Sequence, residues 1–279
     1  MKKIKLQVNE GYTIVVNQFT PKTDNQKVVI IVPAMGVKQI FYERFANFLK
    51  EQNYTVYTFD YSGIGESKFH SLKDYEKSIS DWINYDFETV IQYVKLNHSA
   101  SKLILIGHSL GGQVIALNKY SYLAYKIILI SSQSGYWKFW KGVNKYIMLF
   151  YWKLFFPIVV KYYGYLPSDK FSRMESLPKG VATEWSNWGL KPNYFLHYIS
   201  EDSHFFNKIN CPIYSYSSSD DTYAPKDSVD WLASIFKNST VIKKHLNPND
   251  LNLNKIGHFG FFKEENKFTI WNLILNDIE

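Results

Sequence analysis

The stretch LILIGHSLGGQ, Leu103 to Gln113, runs from aliphatic residues into Gly107-His108-Ser109-Leu110-Gly111, a serine with glycine two places before it and two after. A serine held in a sharp strand-to-helix turn draws neighbouring backbone so close that only small residues fit at those two places. It becomes a nucleophile if a base takes its proton and a third group orients the base. Both occur later in the chain, as Asp220-Asp221 in SSSDDTYAPKDS and His258 in NKIGHFGFF. The plain alternatives are a glycine-rich connection at Gly107–Gly112 and ordinary turn residues at Asp220 and Asp221.

Position along the chain separates the candidate bases. When the serine follows a strand of a parallel sheet and opens a helix, the acid and then the histidine are expected in loops after later strands. His258 meets that order, in the polar loop after the last strand. His245 lies within VIKKHL, where a strand end would hold it; His197 and His204 lie in an aromatic-rich interval; His70 and His98 precede the serine. The helix behind the turn offers free amides, so the N–H of Leu110 would point at an oxyanion forming on an attacked carbonyl. A second donor is expected in Pro33-Ala34-Met35-Gly36, where small neighbours let the backbone approach a ligand, and the amide of Met35 is the candidate. That loop also reads as a simple strand-to-helix turn.

The elements that must position these groups alternate. KIKLQVN and YTIVVNQF read as an opening hairpin; KVVIIVP (27–33), YTVYTFD (54–60), KLILIGHS, KIILISS (126–132), CPIYSYS (211–217) and STVIKKHL (239–246) read as short buried strands. FYERFANFLKEQ (41–52) sets Phe41, Phe45, Phe48 and Leu49 on one helical face, and DWINYDFETVIQYVKLN (81–97) repeats that spacing. LGGQVIALNKYSYL and FKEENKFTIWNLILNDI are also expected helices. Strands alternating with helices imply an α/β fold, a mostly parallel sheet covered by helices on both faces. Residues 135–210 interrupt the alternation and are expected to form a helical, aromatic-rich cap, with 1–134 and 211–279 as the core.

Composition narrows the function. The 279 residues, 46% of them hydrophobic, suffice for one large domain with an insertion. Net charge is +7 and the pI about 9.1, yet only Arg44 and Arg173 are arginines among 32 basic residues, so the forked contacts that read phosphates and guanine are scarce. Nucleic acid is not expected as a partner. Cys211 is the single cysteine, which excludes an internal disulfide and favours a reducing compartment, and the N-terminus lacks a signal-peptide core; the cytoplasm is the expected location. The apolar run Tyr146 to Val160 is shorter than a bilayer span and contains Lys153 and Pro157, so no transmembrane helix is expected. Gly63-Ile64-Gly65 lacks the third glycine of a dinucleotide loop, and neither HExxH nor a comparable ligand cluster suggests a metal. No cofactor is expected.

On PAMGVKQIFYERFANFL, YTFDYSGIGES, GHSLGGQ, SSSDDTYAP and IGHFGFF, the chain resembles the α/β-hydrolase superfamily over nearly its whole length. More narrowly it is similar to a bacterial branch of predicted serine hydrolases with PAMG in place of the usual His-Gly, Ser-Gly-Tyr-Trp after the sixth strand (Ser134 to Trp137) and a Gly-His-Phe-Gly-Phe-Phe ending. The resemblance implies a Ser109, Asp221, His258 triad, with Asp221 preferred to Asp220 because it stands four before Pro225. Two departures stand out: Ser62 where many relatives carry Arg, and Pro33-Ala34 in the oxyanion loop. A serine in the elbow argues against the dehalogenase and epoxide hydrolase chemistries of the superfamily, which need an aspartate there.

The expected reaction is therefore acyl transfer from an ester, thioester or amide to water. Transfer to another acceptor on the same triad, and a binding protein that leaves the triad unused, are the alternatives. Peptidase action on a free N-terminus would want acids in the cap, where Glu175, Glu184, Glu201 and Asp202 occur. Trp137 and Trp140 are expected at the substrate pocket. Lys138, Lys141, Lys145 and Lys153 recur at helical spacing among Tyr146, Phe150, Trp152 and Phe155. Those aromatics are expected either to bury against the sheet with the lysines in solvent, or to bind an acyl chain or a membrane surface. The substrate is expected to be a small molecule or acyl compound; oligomeric state is not read from the sequence.

Overall fold

In the computed structural model, which describes residues 1–68 and 71–279, eight strands form one sheet in the order β1-β2-β4-β3-β5-β6-β7-β8. β1 (Lys2–Gln7) and β2 (Thr13–Phe19) make the expected antiparallel hairpin, and β2 is also antiparallel to β4 (Thr55–Phe59). β3 (Lys27–Val32), β5 (Lys102–His108), β6 (Lys126–Ile130), β7 (Ile213–Ser218) and β8 (Val241–Leu246) complete it, every pair from β4 to β8 being parallel. The central strands are unbroken aliphatic runs because both faces are covered.

The two-residue period of β3 and β5 sorts their side chains between two layers. Val29, Ile31, Ile104 and Ile106 meet Phe45, Phe48 and Leu49 of α1 (Glu43–Glu51) and Trp271 and Ile274 near the C-terminus. Val28, Ile30, Leu103 and Leu105 meet Trp82, Phe87 and Val90 of α2 (79–97) and Val114 of α3 (Leu110–Leu117) on the other side. α2 is one helix of α and π turns, opened by a capping box in which Ser78 and Asp81 bond each other's amides.

Between β6 and β7 lie α4 (Gly142–Tyr163) and α5 (Lys179–Gly189). Trp152, Phe156, Leu177, Trp188 and Phe195 of this segment enter the same hydrophobic cluster as α2 and α3, so it shares its core with the sheet. α6 (Lys226–Ser234) joins β7 to β8, and a last helix, α7 (Asn272–Ile278), continues a π turn at Lys267–Trp271.

Four local expectations change. α3 stops at Leu117 instead of running to Leu123: buried Asn118 donates from Nδ2 to the carbonyl of Ile83 at 2.7 Å and accepts the amide of Tyr120 at 2.9 Å, which draws the chain out of the helix. The C-terminal helix begins only at Lys267, after 3-10 turns. α4 starts at Gly142, so Lys138 and Lys141 precede it and only Lys145, Lys153 and Lys161 ride on it. At 22 residues, with an 18-residue stretch of mean hydropathy 1.3, α4 is also longer than the apolar run Tyr146–Val160, and long and apolar enough by length and composition to cross a membrane.

Candidate active site

Ser109 sits at φ 52° and ψ −114°, between the last residue of β5 and the first of α3. A non-glycine residue in that region costs about 1–3 kcal/mol and is held there only by its surroundings. The Ser109 amide donates to the carbonyl of Ile130 at 2.9 Å, which ties the turn to β6. The flanking glycines are sterically required. A Cβ on Gly107 would stand 2.6 Å from the amide nitrogen of Gly112, and one on Gly111 would stand 2.1 Å from the carbonyl oxygen of Val32. The residue is buried, with 7% of it exposed.

The candidate acid and base lie in the loops after β7 and β8. His258 Nδ1 and Asp221 Oδ2 are 2.8 Å apart, and Asp221 Oδ1 accepts the amides of Tyr223 at 2.9 Å and Ala224 at 3.0 Å. Burial opposes charge on Asp221, but His258 beside it and these bonds hold its carboxyl below the usual carboxylate range. Asp220 does a different job. Its carboxylate accepts the amides of Ile256 at 3.0 Å and Gly257 at 2.8 Å, together with the hydroxyl of Ser218 at 2.5 Å, so it latches the backbone just before His258. The adjacent carboxylates therefore hold the same histidine by ring and by backbone.

Ser109 Oγ donates to Gln133 Oε1 at 3.4 Å, and among the described residues no hydrogen bond joins it to His258. Gln133, in the loop after β6, is a site residue that sequence reasoning missed, as are His108 and Tyr42. The Tyr42 hydroxyl accepts the Ala34 amide at 2.9 Å and lies 2.9 Å from His108 Nδ1, while His108 Nε2 lies 2.9 Å from the carbonyl oxygen of His258. That carbonyl can only accept, so Nε2 carries the proton; Nδ1 of the neutral ring then accepts from the tyrosine. One chain of bonds thus runs from the loop after β3, through the residue next to Ser109, to the backbone of His258.

His108 is fully buried, against the rings of Phe41, Phe259 and Phe262. Burial, with His258 close by, pushes its pKa down to about 3. The unfolded chain therefore binds a proton near pH 6.5 that the native chain refuses, so this group's contribution is intact above pH 6.5 and is lost as pH falls toward 3. Between pH 6.5 and 4.5 the loss should be about 2–3 kcal/mol in urea unfolding, and His108→Asn should have a flatter profile. Parallel profiles for the two proteins would remove this role.

The amides of Met35 and Leu110 donate to no protein acceptor among the described residues. Gly36 beside Met35 has φ 63°, and its carbonyl accepts the amide of Glu175 at 2.8 Å, which fixes this loop against the segment after α4.

The other sequence candidates are dispersed. Trp140 is buried and its Nε1 donates to the carbonyl of Thr222 at 2.9 Å, joining residues 135–210 to the loop of Asp221. With Phe139, Asn144, Thr222 and His245 it walls an open cavity of about 300 Å³ that reaches Asp221, and Ser109 is not among the lining residues. Trp137 is partly buried under the ammonium groups of Lys138 and Lys145. Glu175 pairs with Lys68 and with Lys38 at 3.6 Å, and Glu184 accepts the amide of Ser80 at 2.9 Å and its hydroxyl at 2.5 Å. Glu201 and Asp202 are exposed. His98 lies 2.8 Å from the Tyr57 hydroxyl and His245 2.8 Å from that of Ser217, while His70 lies outside the described residues.

Comparison with known proteins accords with this architecture. An esterase from Exiguobacterium antarcticum superposes with a TM-score of 0.62 at 16% identity over 100% of both chains. A "putative hydrolase" from Agrobacterium vitis S4 gives 0.65 at 15% over 100% of this chain and 98% of the other. Est1E from Butyrivibrio proteoclasticus gives 0.60 at 14% over 100% and 99%. The profile of the Hydrolase_4 family, serine aminopeptidase S33, matches residues 23–179, a span that includes the Met35 loop and the Ser109 elbow. That span is more than half of the sequence, and the chain belongs to this family of α/β-hydrolase fold proteins.

Proposed function

We propose that this serine hydrolase cleaves esters of apolar acyl groups through an acyl-enzyme on Ser109, with His258 as base and Asp221 as its orienting acid. The observation that carries this reading is the strained Ser109 at the start of α3, whose neighbour His108 lies 2.9 Å from the His258 carbonyl, together with the bonded Asp221–His258 pair. In the reaction the Ser109 hydroxyl turns from Gln133 to His258 Nε2 and gives up its proton as Oγ bonds the acyl carbon. The oxyanion is held by the amides of Met35 and Leu110. The imidazolium then protonates the leaving alkoxide as the C–O bond breaks. A water attacks the acyl-enzyme with His258 again as base, releasing the acid and restoring Ser109.

Two observations favour an ester over an N-terminal peptide. Of the partly enclosed acids of residues 135–210, Glu175 is charge-paired with Lys68 and Lys38, and Glu184 accepts two hydrogen bonds from Ser80, so both already serve contacts within the fold. The segment around them is rich in tryptophan, tyrosine and phenylalanine. The esterase from Exiguobacterium antarcticum shows that this fold carries such chemistry in another chain. A fluorophosphonate probe should label Ser109, identified by peptide mass, and nitrophenyl acyl esters should be hydrolysed in preference to aminoacyl amides. An unlabelled, folded protein refutes the nucleophile; preference for aminoacyl amides refutes the ester assignment.

A further inference from the structure

α4 is apolar on both sides. Trp152, Phe156 and Val160 are buried against the domain, as a helix of a soluble fold requires. Val143, Ile147, Phe150, Leu154, Ile158 and Tyr162, spaced three or four apart, form a second stripe that faces outward; Phe150 is 50%, Leu154 48% and Ile158 61% exposed. At 1.5 Å per residue this stripe extends for about 30 Å, well beyond the isolated apolar residues that surfaces ordinarily carry. Phe171, also exposed, packs on Phe155 and widens it.

The charge around the stripe has one sign. Residues 135–168 contain five lysines and no aspartate or glutamate. Among the described residues only Lys141 of the five stands near a carboxylate, that of Asp227 at 3.9 Å. Lys145, Lys153 and Lys161 recur every eighth residue along α4, beside Tyr146, Tyr151, Tyr162 and Tyr163. Tyrosine and lysine at the margin of an apolar stripe suit the boundary between acyl chains and headgroups.

We infer that α4 lies flat on an anionic lipid bilayer, with the Phe150–Leu154–Ile158 stripe entering the acyl boundary and the lysines among the headgroups. A second copy of the chain is a poorer occupant, because isologous pairing would bring these unpaired lysines toward each other. Spanning the bilayer would expose Trp152, Phe156 and Val160, which the domain now buries. The surface does not depend on the reaction at Ser109.

The test is flotation of the full chain with phosphatidylcholine vesicles, with and without phosphatidylglycerol. The protein should float with the phosphatidylglycerol vesicles at low salt, and less at high salt or with phosphatidylcholine alone. Phe150→Ser/Leu154→Ser/Ile158→Ser, all exposed positions, should reduce floated protein at least about tenfold, by the apolar area removed, with an unchanged circular dichroism spectrum. Lys153→Gln/Lys161→Gln should lower the preference for anionic vesicles. Ser109→Ala should float as the parent does, which separates this inference from the catalytic one. Absence of flotation at low salt overturns it, and so does a stable dimer that the triple serine variant dissociates.

Discussion

Ser109→Ala is expected to lower ester hydrolysis at least about 10⁴-fold in kcat with little change in KM, since in the proposed reaction the hydroxyl forms the bond to carbon while the rest of the site is unchanged. Only one atom leaves, and it holds a single long hydrogen bond to Gln133. The backbone at φ 52° is retained by the strand behind it and by Gly107 and Gly111, so a cooperative thermal transition close to the parent's is the expected control. Steady-state hydrolysis of a short nitrophenyl ester reads the effect. A variant that keeps even a tenth of parental kcat means that water is activated elsewhere, and the acyl-enzyme is then lost as an intermediate.

Much of this arrangement was legible in the sequence because it rests on local rules. A parallel sheet covered on both faces demands the aliphatic runs of β3, β5 and β6, and a serine elbow demands Gly107 and Gly111 for reasons confined to one turn. The rest depends on contacts between distant segments. His108 joins Tyr42, 66 residues before it, to His258, 150 after it. The available signal was its place at the end of a buried strand, where a polar ring must find partners. α4 was hidden for another reason: both its faces carry apolar stripes, so periodicity alone does not tell which one the domain covers.

The adjacent aspartates give the second large effect. Asp221→Asn is expected to lower kcat about 10³- to 10⁴-fold, because an amide offers His258 Nδ1 either a weaker acceptor or a donor that forces the wrong tautomer. Asp220→Asn should cost less than about tenfold, since an asparagine oxygen still accepts one of the Ile256 and Gly257 amides and loses only the other, a change on the order of 1 kcal/mol. The two variants also differ in pH response. Burial and His258 set the Asp221 carboxyl, held below the usual range, so the parent's activity should not fall through Asp221 protonation until well into acid. Asp221→Asn removes that charge at every pH. Any acid-side loss of kcat/KM that comes from protonating Asp221 should therefore be absent in this variant and kept in Asp220→Asn. Equal losses in both variants, or the larger loss at Asp220, would transfer the orienting role to the residue that grips the backbone before His258.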